Sequence, residues 1–152
     1  MKSPGDKIEF FRHDLGSEEK ERIVAALDSL VLTTGEAVNE MESALAAYLG
    51  VKHVVGLDSC TAALHLGLLA SDIGPGDEVI VPAMTFIATA NAVLMAGATP
   101  VFADVDPTTG CLTVETAGCR ITERTKAIIP VHLYGLLCDM KALRTLADDH
   151  GL

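Results

Sequence analysis

G-P-G-D-E-V-I-V-P-A-M-T-F-I-A-T-A-N-A-V-L-M-A-G-A-T-P-V-F-A-D-V, from Gly74 to Val105, is the stretch on which the fold turns. From Val79 to Ala103 it carries no charge, a run long enough to cross a bilayer. However, Pro82 interrupts it near its start, Gly97 and Pro100 break it near its end, and Thr85, Thr89 and Asn91 lie between. The better parse is a turn at Gly74–Asp77, a strand at Glu78–Val81, a buried helix at Thr85–Ala96 and a strand at Thr99–Val105. Such an alternation of apolar elements is the signature of a parallel α/β sheet. A membrane role is set aside on this ground.

The same alternation extends outward in both directions. Downstream, D-P-T-T-G (Asp106 to Gly110) turns the chain, a short helix is expected near Val114–Arg120, and Ala127–Leu133 reads as a further strand. Asp139 caps a last helix with Met140, Leu143 and Leu146 facing inward, and Gly151 closes it. Upstream, Val51–Leu57 reads as the first strand. Ala62–Ala70 is apolar all round, which suits a helix covered on every side. Ser17 is the expected cap of a first helix with an apolar stripe of Ile23, Val24, Ala26, Leu27 and Leu30. A second helix from about Glu36 carries Val38, Met41, Leu45 and Tyr48 on one face and stops at Gly50. The expected fold class is α/β: three layers, a mostly parallel sheet with helices on both faces. In a parallel sheet each helix delivers the next strand. A last helix that delivers none predicts the front part of a longer protein, or a truncated relative of one.

Composition fits this reading. The chain has 152 residues, 49% hydrophobic and 21% charged, with 4% aromatic and no Trp, so the core rests on Ala, Leu, Val and Ile. Mean hydropathy is +0.37, which excludes intrinsic disorder. Eleven Lys and Arg against 21 Asp and Glu give a net charge of −10, which repels phosphate backbones and anionic lipid and argues against nucleic-acid binding. Cys60, Cys111, Cys119 and Cys138 form no C-x-x-C pair and no zinc spacing, so they read as reduced, mostly buried thiols of a cytoplasmic protein. No metal site is expected.

Ligands of open α/β sheets bind at the carboxyl ends of the strands, and four segments fall there. D-S-C-T-A (Asp58 to Ala62) opens a helix, where free N–H groups, the helix dipole and the Ser59 and Thr61 hydroxyls suit a phosphate. The plainer reading is N-capping by Ser59 or Thr61. P-A-M-T-F (Pro82 to Phe86) ends on an aromatic that either stacks on a flat ring or fills the core. V-H-L-Y-G (Val131 to Gly135) sets His132 and Tyr134 after a strand, as catalysts or as hydrogen-bonded structural residues. The T-T-G linker, Thr33, Thr34 and Gly35, says only that the chain turns. Cys60 at a helix start has the setting of a nucleophile, but with no His–Asp partner in reach it reads as a small buried turn residue. A dinucleotide site is disfavoured, because the turn after Leu57 lacks the glycines it requires.

Taken in order, these segments resemble the N-terminal part of the DegT/DnrJ/StrS family of pyridoxal-phosphate-dependent sugar aminotransferases, fold type I. The resemblance is carried by L-T-T-G at Leu32, S-C-T-A-A-L at Ser59, G-P-G-D-E-V-I-V-P at Gly74 and T-F-I-A-T-A-N-A-V at Thr85. It continues through G-A-T-P-V-F-A-D-V at Gly97, R-T-K-A-I-I-P-V-H-L-Y-G at Arg124 and D-M at Asp139, so that it runs from about Phe10 to Leu152.

The resemblance implies that Thr61 and Ala62 hold the cofactor phosphate with Ser59 and Cys60 adjacent, and that Phe86 packs on the pyridine ring. It implies that Thr33, Thr34, Gly35, His132 and Tyr134 line the substrate cleft near a dimer interface. It places the Schiff-base lysine and the acid that protonates the pyridine nitrogen beyond Leu152, so no catalytic residue is assigned here. Residues 1–35 are expected to form a helical arm and linker, and 36–152 the first part of the large pyridoxal-phosphate domain. The expected activity is transamination of a keto group on a nucleotide-linked sugar, with an amino-acid donor, glutamate, in a cytoplasmic homodimer. This chain alone is expected to be inactive. Two alternatives remain: a non-catalytic dimerising or phosphate-ligand-binding module, and a sugar dehydratase of the same family. A sheet lacking the strands between its first strand and the other three is expected to close the gap by abnormal pairing or to borrow a partner's edge.

Overall fold

The computed structural model describes residues 12–33 and 35–152, which divide into two compact units, Met1–Gly56 and Leu57–Leu152.

The first unit holds two helices, α1 (Ser17–Leu27) and α2 (Glu36–Leu49). Ser17 is not the cap expected of it: Gly16 occupies that position, and its N–H donates to the Glu19 carboxylate at 2.6 Å. A carboxylate reaching back from the first turn satisfies the orphan donor as well as a serine would. Gly50 ends α2 in the left-handed conformation, φ 66°, as its position predicts. Neither helix has a buried residue, so the apolar stripes of Ile23, Val24 and Leu27 on α1 and of Met41, Leu45 and Tyr48 on α2 are exposed.

Val51–Leu57 is not a strand. The Gly56 N–H goes to the Glu42 carboxylate of α2 at 2.7 Å instead of to a ladder partner. An extended run becomes a strand only where a neighbour completes its hydrogen bonds. Abnormal pairing within the chain does not close the expected gap: among the described residues the segment stays out of the sheet.

In the second unit, α3 (Cys60–Ala70) leads to β1 (Glu78–Pro82), α4 (Ala88–Met95) and β2 (Thr99–Ala103). Next come α5 (Val114–Gly118), β3 (Thr125–Ile128), a single 3-10 turn at Leu133–Gly135, and α6 (Met140–His150). The three strands are parallel in the order β2-β1-β3, so the strand with the most apolar sequence is central. All five residues of β1 are buried, as a strand covered on both faces requires. Its alternation sorts the core into two clusters. Val79 and Val81 meet Leu68, Ala92 and Val93 from α3 and α4, whereas Ile80 meets Leu112, Ala117 and Leu143 from the α5 and α6 side. The three layers are thus present; the last strand, expected over Ala127–Leu133, instead occupies Thr125–Ile128, because only that part pairs with β1.

Three expectations fail for one reason. α3 is not covered on every side: only Leu68 is buried, while Leu66 and Leu69 are 45% and 44% exposed. Met140 of α6 is 45% exposed, although Leu143 is buried. Of the cysteines, Cys111 and Cys138 are buried but Cys60 and Cys119 are exposed. An apolar side chain is buried only where an opposing element exists, and none of the described residues covers these faces.

At the amino edge of the sheet Glu78 is a buried acid with firm partners. The Thr122 hydroxyl donates to it at 2.5 Å, the Arg124 Nε donates at 2.9 Å, and a second Arg124 nitrogen also binds it. The Thr122 hydroxyl first, and then the Arg124 guanidinium, hold its carboxyl below the usual range. A depressed folded pKa stabilises the fold above the unfolded value of about 4.3, and that contribution disappears as pH falls through the folded value. Urea midpoints measured from pH 7 down to pH 3 should therefore drop below about pH 4.5 in the wild type and drop less steeply in E78Q. Parallel curves would refute the link to Glu78.

Candidate functional site

The carboxyl edge of the sheet receives its residues from three directions. α3 ends near Ser71, and the chain then enters β1 from the amino edge. Eleven helical residues rise about 16 Å and five strand residues about the same, so α3 begins at the level of the strand carboxyl ends. There Ser59 is the N-cap: its Oγ accepts the Ala62 N–H at 3.1 Å and its hydroxyl donates to Asp58 at 3.2 Å. Ala62 thus has its N–H engaged. Among the described residues no hydrogen bond uses the N–H of Cys60 or Thr61 or the Thr61 hydroxyl. These donors sit at the positive end of the helix dipole, where a phosphate is favoured. Cys60 is not a buried turn residue; its thiol is exposed.

After β1 the chain turns through Ala83, whose N–H donates to the Ala103 carbonyl at 2.8 Å, and the Phe86 carbonyl accepts from Thr89 at 3.1 Å. The Thr85 and Thr89 hydroxyls share a hydrogen bond of 3.0 Å. Phe86 is pinned by backbone at both ends of this turn yet 75% exposed, so it fills no core. Its ring is open to a flat ligand.

After β3, His132 and Tyr134 follow the neighbouring carboxyl end. His132 Nδ1 accepts the Cys138 N–H at 3.2 Å, and Tyr134 is 92% exposed with φ 52°. The loop is also held by the two buried thiols, Cys138 to the Val131 carbonyl and Cys111 to Leu136. No spacing rule signals this use of cysteine, which is why sequence reasoning passed over it. Beside it, Asp106 accepts the N–H groups of Thr108 and Thr109 at 2.9 and 2.8 Å, and the Thr109 backbone keeps its carboxyl below the usual range.

Ser59, Cys60, Thr61, Ala62, Phe86, His132 and Tyr134 all belong to the second unit. Thr33 and Gly35 belong to the first, and Thr34 lies outside the described residues. Gly35 has a structural demand of its own, since a Cβ there would lie 2.5 Å from the Val31 carbonyl oxygen. Among the described residues no three His, Cys, Asp or Glu side chains are grouped to hold a metal, and no helix is long and apolar enough to cross a membrane.

Residues 13–152 match the DegT/DnrJ/EryC1/StrS aminotransferase family. The chain belongs to this family. Among its relatives, GDP-perosamine synthase of Caulobacter vibrioides is 47% identical over 91% of this chain and 38% of its own length. The UDP-N-acetyl-3-dehydro-alpha-D-glucosamine 3-aminotransferase of Acidithiobacillus ferrooxidans is 54% identical over 83% of this chain and 34% of its own. The solved structure of Spr1654 from Streptococcus pneumoniae in its PLP form superposes with a TM-score of 0.89 at 40% identity, covering 93% of this chain and 36% of that one. This member of the aminotransferase family thus spans about a third of the length of the relatives it matches. The incomplete fold type I sheet read from the sequence accords with these neighbours.

Proposed function

We propose that residues 1–152 are the N-terminal third of a pyridoxal-phosphate-dependent aminotransferase that aminates a keto group on a nucleotide-linked sugar, with glutamate as donor. The single observation that carries this reading is the start of α3: a parallel sheet presents, at its ligand-binding edge, N–H groups and a hydroxyl without partners. A phosphate dianion fits that set, and the exposed Phe86 ring suits the pyridine attached to it.

When bound, the cofactor supplies an electron sink for bonds at the amino-bearing carbon. This chain's residues would bind and orient it. Cys60 and Thr61 N–H groups and the Thr61 hydroxyl would hold the phosphate, while Ser59 keeps the helix start in shape. Phe86 would fix the plane of the ring and exclude water from one side. None of the described lysines suits the covalent role. Lys126 lies in β3 toward its amino end, Lys20 and Lys141 lie on α1 and α6, and Lys52 lies in the first unit.

The reading includes a homodimer, supported by exposed apolar residues such as Leu27 at 65%. It includes a reducing, cytoplasmic setting, supported by four free thiols. It also includes a division into an arm, 1–35, and a large-domain portion, 36–152.

The test is a titration of the 15N-labelled chain with pyridoxamine phosphate, which cannot condense with lysine. The Cys60 and Thr61 amide signals should move together. T61V and F86A should each weaken binding by about tenfold, the worth of one charge-assisted hydrogen bond or one aromatic contact. No movement at Cys60 and Thr61 at saturation would overturn the reading.

A further inference from the structure

His132 has one ring nitrogen engaged in the loop that follows β3. Its Nδ1 accepts the Cys138 N–H at 3.2 Å. Three further bonds hold the same loop. Cys138 Sγ donates to the Val131 carbonyl at 3.2 Å, Cys111 Sγ donates to the Leu136 carbonyl at 3.5 Å, and the Gly135 N–H donates to the His132 carbonyl at 3.1 Å. Both thiols are anchored in the buried cluster that also contains Leu112 and Leu143. Burial first, and the Cys111 neighbour second, push the Cys138 thiol up, so it stays a donor.

Within this frame Tyr134 takes φ 52° and ψ 26°, a left-handed conformation disfavoured for any residue with a Cβ. Its side chain is 92% exposed, so the conformation is not compensated by packing. An outlier of this kind persists only where its surroundings over-determine it, and outliers cluster where geometry serves binding.

We infer that His132 is a positioning residue: with the Cys138 and Cys111 thiols, its Nδ1 clamps the 131–138 loop so that Tyr134 is presented at the carboxyl edge. The clamp stands on geometry alone. That the presented phenol meets a hydroxylated sugar substrate rests on the aminotransferase reading above.

Two measurements test it. In the 152-residue chain, the Cys138 amide should exchange slowly, and H132A should speed that exchange by about tenfold or more, while H132N, whose Oδ1 can stand where Nδ1 stood, should restore protection. In the full-length aminotransferase, H132A and Y134A should each raise the KM for the keto sugar by about tenfold with a much smaller change in kcat. H132N should recover most of what H132A loses.

Equal exchange in H132A and wild type overturns the clamp. A kcat lowered by about a hundredfold in H132N, with the Cys138 amide still protected, makes His132 an acid–base group and overturns its assignment. An unchanged KM in both H132A and Y134A overturns the presentation of Tyr134. If H132A fails to fold, H132N alone decides the question. If the full-length wild type binds no pyridoxal phosphate, the aminotransferase reading fails instead, and the exchange measurement still decides the clamp.

Discussion

Residues 1–152 incubated with pyridoxal phosphate, glutamate and a keto nucleotide sugar will form no amino sugar above the uncatalysed background. The reason is an arrangement of charges that the chain does not supply. A lysine must approach the coenzyme carbonyl at the carboxyl edge, and an acid must hold the pyridine nitrogen protonated. Lys126 is the second of the four residues of β3, so about 7 Å of strand separates it from that edge. Lys141 is the second residue of α6, on the helix behind the sheet. Bound coenzyme should therefore leave on dialysis, and borohydride should trap none of it on Lys20, Lys52, Lys126 or Lys141. Mass spectrometry of the reduced chain checks this directly. A stoichiometric reduced adduct on one of them, together with turnover, would refute the claim. Loss of activity here is expected to be complete, because the coenzyme would be gripped at its phosphate and left chemically idle.

The second large effect concerns the fold. I80A should leave much of the chain unfolded at 37 °C. Ile80 is fully buried in the central strand and packs against Leu112, Ala117 and Leu143. Truncating such a residue costs about 2–5 kcal/mol, set against a total stability of about 5–15 kcal/mol for an ordinary domain. The partially covered helices put this chain toward the low end of that range. L66A is the matched control, since Leu66 is 45% exposed and its loss should change stability by no more than about 0.5 kcal/mol. Urea denaturation followed by circular dichroism separates the two. Equal midpoints for I80A and wild type would mean that β1 is not the centre of the core.

Much of the sheet was legible because its signals are local. E-V-I-V-P reads as a strand buried on both faces, and Gly76, with φ 99°, makes the turn that G-P-G-D announces. Gly50, Gly151 and Asp139 terminate or begin helices where their chemistry says they must. Val51–Leu57 was misread because a strand depends on a partner that may lie anywhere along a chain, and local pattern cannot report one. Exposure of α3 escaped for the same reason. At the candidate site, the residue types of the α3 start and the position of Phe86 were readable from topology. The role of His132 was not, because it depends on a backbone donor six residues away and on two thiols tied to carbonyls.

The order β2-β1-β3 has a last consequence. The chain leaves β1 for a helix on one face of the sheet and leaves β3 for a helix on the other. Two adjacent strands whose exits diverge in this way open a crevice between them without any cavity being carved from the core. Phe86 follows one of these strands and Tyr134 the other. Because the crevice comes from the reversal of direction and not from missing atoms, the segment after Pro82 can change in length and chemistry while both apolar clusters stay intact, whereas the segment after Ile128 is tied to them through Ile129 and Cys138. Ligand preference in such a scaffold is free to drift on one side and bound to folding on the other.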